Sequence, residues 1–436
     1  MIAEEKRNHR VLFVAELSHA APRVPSITRY LPQFGWECLV LTGTRGSDKI
    51  DCTLIETGLP DLVSNFKEML GLSAQKGLHE QFVKPFDPLS TRSRISSRFV
   101  NLLKSFLLFP DQHRAWRKCL TAEQVQQIRV FNPEIIVSTS SPVTAHNIAF
   151  MLSRQMNIPW IADFRDLWSQ NHNYQYGKLR RQLDQFIERR LLKEATAIVT
   201  VSPGWARDLK DFHHRREVFV VTNGFDPAYT PREKNLDAEH FVMTLTGPVY
   251  PGAHNANYLI EAVSICIDEG HIERDSFRIK FLGPHDDNLE SLISKYELGD
   301  CVEQVGLTSR SKSLAEQWSS DALLLFTWDT DSSKEHLPLR LFEYLATGTP
   351  IICTATRHDL GLLKMLDTDD KDYLCFNVEE LAVAIGKLFK KWKKGTNGIT
   401  KVPNDKVSIH SYVKKAEEFS ELFSKIIDPD RDSAEF

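Results

Sequence analysis

At 436 residues the chain exceeds what one hydrophobic core usually supports, so two domains of about 200 residues are expected. Apolar residues make up 42% and charged residues 26%, the balance of a soluble globular chain, and a net charge of −4 without aromatic-interleaved basic motifs excludes a nucleic-acid partner attracted by global charge. The seven cysteines form no CxxC pair and are odd in number, which argues against a disulfide framework; with no signal peptide and no apolar span of about 18 residues, a cytoplasmic location is expected.

In chain order, residues 10–17 and 36–42 predict strands around a helix near 27–33, the opening of a doubly wound α/β domain. Further strands are predicted at 135–139, 159–163, 197–202 and 218–222, separated by helical patterns at 121–131, 143–156 and 178–194. Such alternation implies parallel pairing through right-handed crossovers. Between them, residues 91–110 (TRSRISSRFVNLLKSFLLFP) carry apolar positions at helical spacing with basic residues alongside. Two readings stay open for this segment. It packs on its own domain, or it lies on the inner face of the cytoplasmic membrane with Arg114, Arg117 and Lys118 adding attraction, making 91–118 a membrane-contact candidate.

A polar, Pro-containing stretch at 223–237 predicts a linker, giving domains at 1–225 and 238–410. The second domain has predicted strands at 241–246, 277–283, 302–305, 322–328, 350–353 and 373–376, with helices at 255–269 and 314–318. An amphipathic helix at 411–427 and a disordered polar tail at 428–436 close the sequence. Two facing doubly wound domains predict a cleft, with ligands at the C-terminal strand ends.

The most informative stretch is 320–353, SDALLLFTWDTDSSKEHLPLRLFEYLATGTPIIC. A buried strand, a polar loop and a helix started by Pro338 and ended by Gly348 make a phosphate-compatible site, because first-turn N–H groups lack intrahelical partners and carry partial positive charge. By spacing, Arg340, Glu343 and Thr347 share one stripe, expected to be free for a ligand. Leu339, Phe342, Leu345 and Ala346 make the packed stripe.

Glu335, seven residues and Glu343, followed by Tyr344-Leu345-Ala346-Thr347-Gly348-Thr349-Pro350, resemble the hallmark of the retaining, nucleotide-sugar-dependent glycosyltransferases of family 4. RYLPQFGWECLVLT at 29–42, ADFRDLW at 162–168, IVTVS at 198–202 and TNGFD at 222–226 are similar to family segments in the family order. The resemblance implies a GT-B fold, two Rossmann-like domains facing across a cleft with the C-terminal helix returning to the N-terminal domain. It implies Glu335 near the donor sugar's hydroxyls, Glu343 on the nucleotide ribose and Arg340 on the diphosphate, with Leu339, Gly247, Tyr250 and Arg23 in donor binding. No cofactor and no essential metal are implied; the nucleotide sugar is a substrate, and the acceptor is a glycan, a lipid-linked molecule or a small molecule. The loop at 18–25 lacks the family's glycines, and no His follows the strand at 135–139, so that catalytic role is unassigned. A non-catalytic nucleotide-sugar binder is the alternative, with a phosphorylase or epimerase of the same fold behind it.

By sequence alone, Asp163-Phe164-Arg165-Asp166 is equally an internal Asp–Arg network and a chemical site. The resemblance favours the cleft, with Asp163 catalytic and Arg165, Asp166 and His172 on the acceptor side. His146 is expected at the surface or helix start, His213-His214 at the surface, and Asp329-Thr330-Asp331 as solvated loop acids rather than metal ligands.

Overall fold

The computed structural model describes residues 8–17, 22–46, 50–59, 109–171, 174, 176–215, 217–229, 237, 239–249, 256–327, 337–354, 360–366, 373–395 and 405–428. The chain divides into two units, Met1–Val201 with Trp205–Val221 and Ala416–Phe436, and Ser202–Gly204 with Thr222–Lys415. The expected boundary after 225 therefore moves back to Val221. The reason is local, since Phe225 N donates to His410 O (3.1 Å) and Tyr412 N donates to Phe225 O (2.8 Å), tying this stretch into the second unit.

The first unit is built on seven parallel strands: β1 (His9–Val14), β2 (Trp36–Thr42), β3 (Thr53–Glu56), β4 (Ile135–Ser140), β5 (Trp160–Phe164), β6 (Ala197–Thr200) and β7 (Phe219–Val220). Their order, β3-β2-β1-β4-β5-β6-β7, reverses direction beside β1 and puts a switch point between β1 and β4. Central strands are apolar on both faces because helices cover both: Val11, Leu12, Phe13 and Val14 are all buried, with Phe13 registered against Val40 and Val137. The helices are α1 (Arg23–Tyr30), α2 (Ala122–Phe131), α3 (Thr144–Met156), α4 (Lys178–Leu192) and α5 (Pro203–His213). Thr121 caps α2 in a reciprocal capping box with Gln124, the start the sequence predicted.

The second unit has six parallel strands: β8 (Phe241–Thr246), β9 (Phe277–Leu282), β10 (Val302–Gln304), β11 (Ala322–Phe326), β12 (Ile351–Thr354) and β13 (Tyr373–Cys375). Their order, β10-β9-β8-β11-β12-β13, repeats the same winding with a switch point between β8 and β11. Its helices are α6 (Ala256–Asp268), α7 (Asp287–Lys295), α8 (Arg310–Trp318), α9 (Leu339–Thr347), α10 (Leu360–Met365) and α11 (Val378–Lys393). One core layer, with Phe241, Phe277 and Phe389 in mutual ring contact, lies on one face of this sheet, and a smaller one around Leu341, Tyr344 and Cys353 packs α9 on the other.

The last helix, α12 (Tyr412–Ile427), returns to the first unit as expected. Trp36 Nε1 donates to Ser420 Oγ at 3.0 Å, Phe423 meets the Trp36 ring edge-on, and Arg23 lies over Phe419. Among the described residues, no helix is long and apolar enough to cross a membrane. The candidate membrane segment at 91–108 lies outside the described residues, while Arg114, Arg117 and Lys118 are exposed.

His146 is not at the surface. It is fully buried on α3, with Nδ1 2.7 Å from Ser138 Oγ, which also accepts the Trp160 indole N–H at 2.7 Å. Ser138 Oγ also donates to Ile161 O at 3.5 Å, which joins the ring to β5. Burial pushes the His146 pKa down to about 3. In the unfolded chain the imidazole takes its proton near pH 6.5, so the unfolded state gains protons first as pH falls. Stability is then full above about 6.5 and is lost progressively toward 3, by about 2 kcal/mol at pH 5. Burial also holds His410 down, to about 4, and acts in the same direction. Urea midpoints at pH 7 and pH 5 check this: His146→Gln is expected to flatten the slope, and an unchanged slope would remove His146 as its source.

Candidate functional site

In the second unit, β8 runs apolar and buried up to Thr246 and ends at Gly247. Gly247 has φ +94°, which glycine adopts without strain, and its N–H donates to Leu282 O at 2.7 Å. A Cβ added there would lie 2.9 Å from Arg340 Nη2 and 3.1 Å from Cζ, so the guanidinium rests directly on the bare backbone. Gly283, at the end of β9, allows the same closeness, because its Cβ would meet Gly247 O at 2.4 Å.

Arg340 is the second residue of α9. Pro338 precedes the helix in an extended conformation, no side chain caps it, and Gly348 ends it in the left-handed region, as the sequence predicted. The Arg340 Nη2 group lies 3.5 Å from Pro248 O, while Nη1 is buried with no acceptor among the described residues. An orphaned, charged donor beside the uncapped start of a helix and a bare glycine backbone is a cradle for an anion.

Deeper on α9, Glu343 is buried and both of its oxygens are engaged: Arg310 Nη2 donates to Oε1 at 2.7 Å and Gln317 Nε2 to Oε2 at 3.1 Å. Gln317 Nε2 also reaches Thr246 Oγ1 at 3.0 Å, and the Tyr344 hydroxyl accepts the Thr246 backbone N–H at 2.9 Å. Burial raises the Tyr344 pKa, so the phenol stays neutral. This chain of bonds ties α8, α9 and the end of β8 together and fixes the start of α9 against Gly247. A cavity of about 20 Å³, room for about one water, touches Glu343, Arg310, Trp318 and Tyr229.

The expected free stripe on α9 is therefore mostly covered. Thr347 is fully buried with its hydroxyl donating to Tyr344 O, and Glu343 is held by α8; Arg340 alone of the three is part-exposed, and so is Leu339 from the expected packed stripe. Each Glu343 oxygen keeps a lone pair beyond its present bond, so further donors are still accommodated. Arg310 and Gln317 were not singled out from sequence, because they approach Glu343 from 33 and 26 positions away with no local signature.

The two halves of the chain match two family models in succession. The model described as Glycosyltransferase Family 4 matches residues 23–229, and that described as Glycosyl transferases group 1 matches residues 231–422. Each half of the chain is therefore similar to glycosyltransferases, and each model covers just under half of its length. A candidate colanic acid biosynthesis glycosyltransferase of Escherichia coli (strain K12), WcaL, is 27% identical over 189 residues, 42% of this chain and 45% of the relative. The chain thus spans less than half the length of the curated relatives it matches. Among solved structures, sucrose-phosphate synthase from Thermosynechococcus elongatus superposes with a TM-score of 0.60 at 15% identity, over 97% of this chain and 100% of that one. HepE from Anabaena, in complex with UDP and glucose, gives 0.63 at 12% identity over 96% and 100%. These likenesses establish the GT-B fold of this chain.

In the first unit the expected roles change. Asp163 is 1% exposed and takes two bonds from Arg23, Nε to Oδ2 and Nη2 to Oδ1, each 2.9 Å, plus the Thr139 hydroxyl at 3.0 Å. Arg23, also buried, further donates to Val221 O at 2.9 Å. The expected catalytic Asp163 and donor-binding Arg23 are thus each other's partners, clamping α1, β4, β5 and the strand end at Val221. They are corrected to positioning groups, because a carboxylate sealed by a guanidinium has no open face for an acceptor hydroxyl. Arg165 forks onto Asp166 Oδ2 (3.2 and 3.0 Å) and reaches Ser141 O, leaving Asp166 part-exposed at the end of β5. His213 is not a surface residue either, since its ring contacts the buried Glu188 at 3.3 Å. Glu335, Tyr250 and His172, with Asp329 to Asp331, lie outside the described residues.

Proposed function

We propose that this glycosyltransferase moves a sugar from a nucleoside diphosphate donor to a glycan or lipid-linked acceptor, with retention at the anomeric carbon and without an essential metal. The observation that carries the reading is Arg340, whose buried Nη1 has no acceptor among the described residues at the uncapped start of α9 against Gly247. Departure of a nucleoside diphosphate develops negative charge on the leaving phosphate and positive charge on the sugar. A fixed guanidinium and helix N–H groups at that phosphate stabilise the former without reorganising as the bond breaks. Glu343 would take the ribose hydroxyls, and Glu335, eight positions upstream, the sugar hydroxyls. HepE was solved with UDP and with UDP-glucose, and WcaL is named for colanic acid biosynthesis; these support a uridine nucleotide donor and a polysaccharide precursor as acceptor.

Release of nucleoside diphosphate from a donor panel with lipid-linked and free glycan acceptors tests the reading, with the anomeric proton of the product reporting retention. Nucleotide binding without release from any donor would leave a non-catalytic binder instead. Glu335→Ala is expected to abolish transfer while sparing the melting temperature; retained transfer would remove Glu335 from the mechanism.

A further inference from the structure

The first three turns of helix α4 are built inside out, before Leu191 and Leu192 return the helix to the core. A helix on the surface of a globular domain normally buries an apolar stripe and shows its charges to water. Here the charged positions Arg180, Asp184 and Glu188 are buried, with Arg180 Nε donating to Asp184 Oδ2 at 2.9 Å and Ser169 N donating to Glu188 Oε2 at 3.0 Å. The opposite stripe, at i, i+4 and i+7, is apolar and exposed: Leu179 at 74%, Leu183 at 36% and Phe186 at 63%. The next positions on that stripe are Arg190 and Lys193, and Lys178 and Arg189 flank it, all exposed. Glu194, the acid at this end, is bonded to Arg154.

Beside the C-terminal half of the stripe lies a cavity of about 660 Å³ between α4 and the end of α5. Phe186 and Phe212 supply its apolar wall, and Arg189, Arg190 and Lys193 supply cations; the Arg189 guanidinium stacks over the Phe212 ring at 4.2 Å. Exposed leucine and phenylalanine side chains in water are unfavourable, yet the inward side of α4 is locked by its ion pairs and cannot be exchanged for them.

We propose that the outer face of α4 is a docking surface for an anionic phospholipid bilayer. Leu179, Leu183 and Phe186 enter the acyl boundary. Arg189, Arg190 and Lys193 take the lipid phosphates, and the cavity at the Phe186 end admits a headgroup. Charge complementarity selects this occupant: four cations on and beside the stripe, in a chain of net charge −4, form a local positive field that suits an acidic lipid surface. The buried face of α4 also grips the segment leading from 91–108, through Arg180 Nη2 donating to Pro110 O and stacking over Phe109. Docking by α4 requires no donor and no turnover.

The test is vesicle co-sedimentation of the full chain with phosphatidylcholine alone and with about a quarter phosphatidylglycerol. Binding is expected only to the anionic vesicles, weakening as salt is raised. Leu179→Ser with Phe186→Ser, and separately Arg189→Glu with Arg190→Glu and Lys193→Glu, are each expected to lower partitioning about tenfold or more. Because these side chains are exposed, melting curves should match the parent, which separates lost docking from lost folding. Equal binding to both vesicle types, or anionic binding untouched by both variants, overturns the proposal. So does a concentration-dependent dimer in light scattering that the serine variant abolishes while vesicle binding is absent, since a second copy would then cover the stripe.

Discussion

Asp163→Ala is expected to lower folding stability by about 3–5 kcal/mol, because it leaves the buried Arg23 guanidinium with its main counter-charge removed. In a domain of this size that is a fall on the order of 10 °C in the melting transition of the first unit. Replacing both partners, as in Arg23→Met with Asp163→Leu, should recover much of the loss, since an apolar pair of similar volume spares both desolvation penalties. Calorimetry on the single and double variants decides it. A parent-like melt combined with lost transfer in Asp163→Ala would restore the carboxylate to the chemistry and defeat the positioning role.

Arg340→Ala is expected to act in the opposite sense on the two observables. Transfer should fall by about 10²–10³-fold in kcat/KM, the usual effect of deleting a fixed donor aimed at developing charge. Stability should hold or rise slightly, because the deleted group carries a buried N–H without an acceptor, a penalty of about 1–3 kcal/mol that disappears with it. Arg340→Lys should keep a fraction of activity, having the charge but not the fork. Initial rates of nucleoside diphosphate release, set beside urea midpoints, separate the outcomes. A large stability loss with normal rates would make Arg340 a packing residue and remove the anion cradle.

The contrast between these two arginines shows what the sequence could carry. The strands at 36–42 and 241–246 were legible to the residue because a run buried on both faces must be apolar throughout. The edge strand at Thr53–Glu56 was not, since only Ile55 of its four residues is buried. Helix α9 was legible at both ends because Pro338 and Gly348 are local signals. The surroundings of Arg340 could be read because they lie in one turn of helix and one strand end. Arg23 could not, because its partner is 140 positions away and no periodicity records a contact of that range. The burial of Arg180, Asp184 and Glu188 was hidden for a related reason: a charge run ordinarily marks the wet side of a helix, and only bonds to Pro110, Ser169 and His213 from outside the helix reverse it.

The return of α12 also sets a timetable. Trp36 and Arg23 are covered by Phe423, Ser420 and Phe419, so the first unit finishes packing only when the far end of the chain has been made. Roughly 200 residues of the second unit are synthesised in between, a delay of about 10–40 s at ~5–20 residues per second. During that interval the ribosome carries a nearly complete seven-stranded sheet with an indole and a buried-to-be guanidinium still open. The second unit, apart from Ser202–Gly204, is one uninterrupted segment and has no such wait. Nascent chains of this protein should therefore draw chaperones to the half made first.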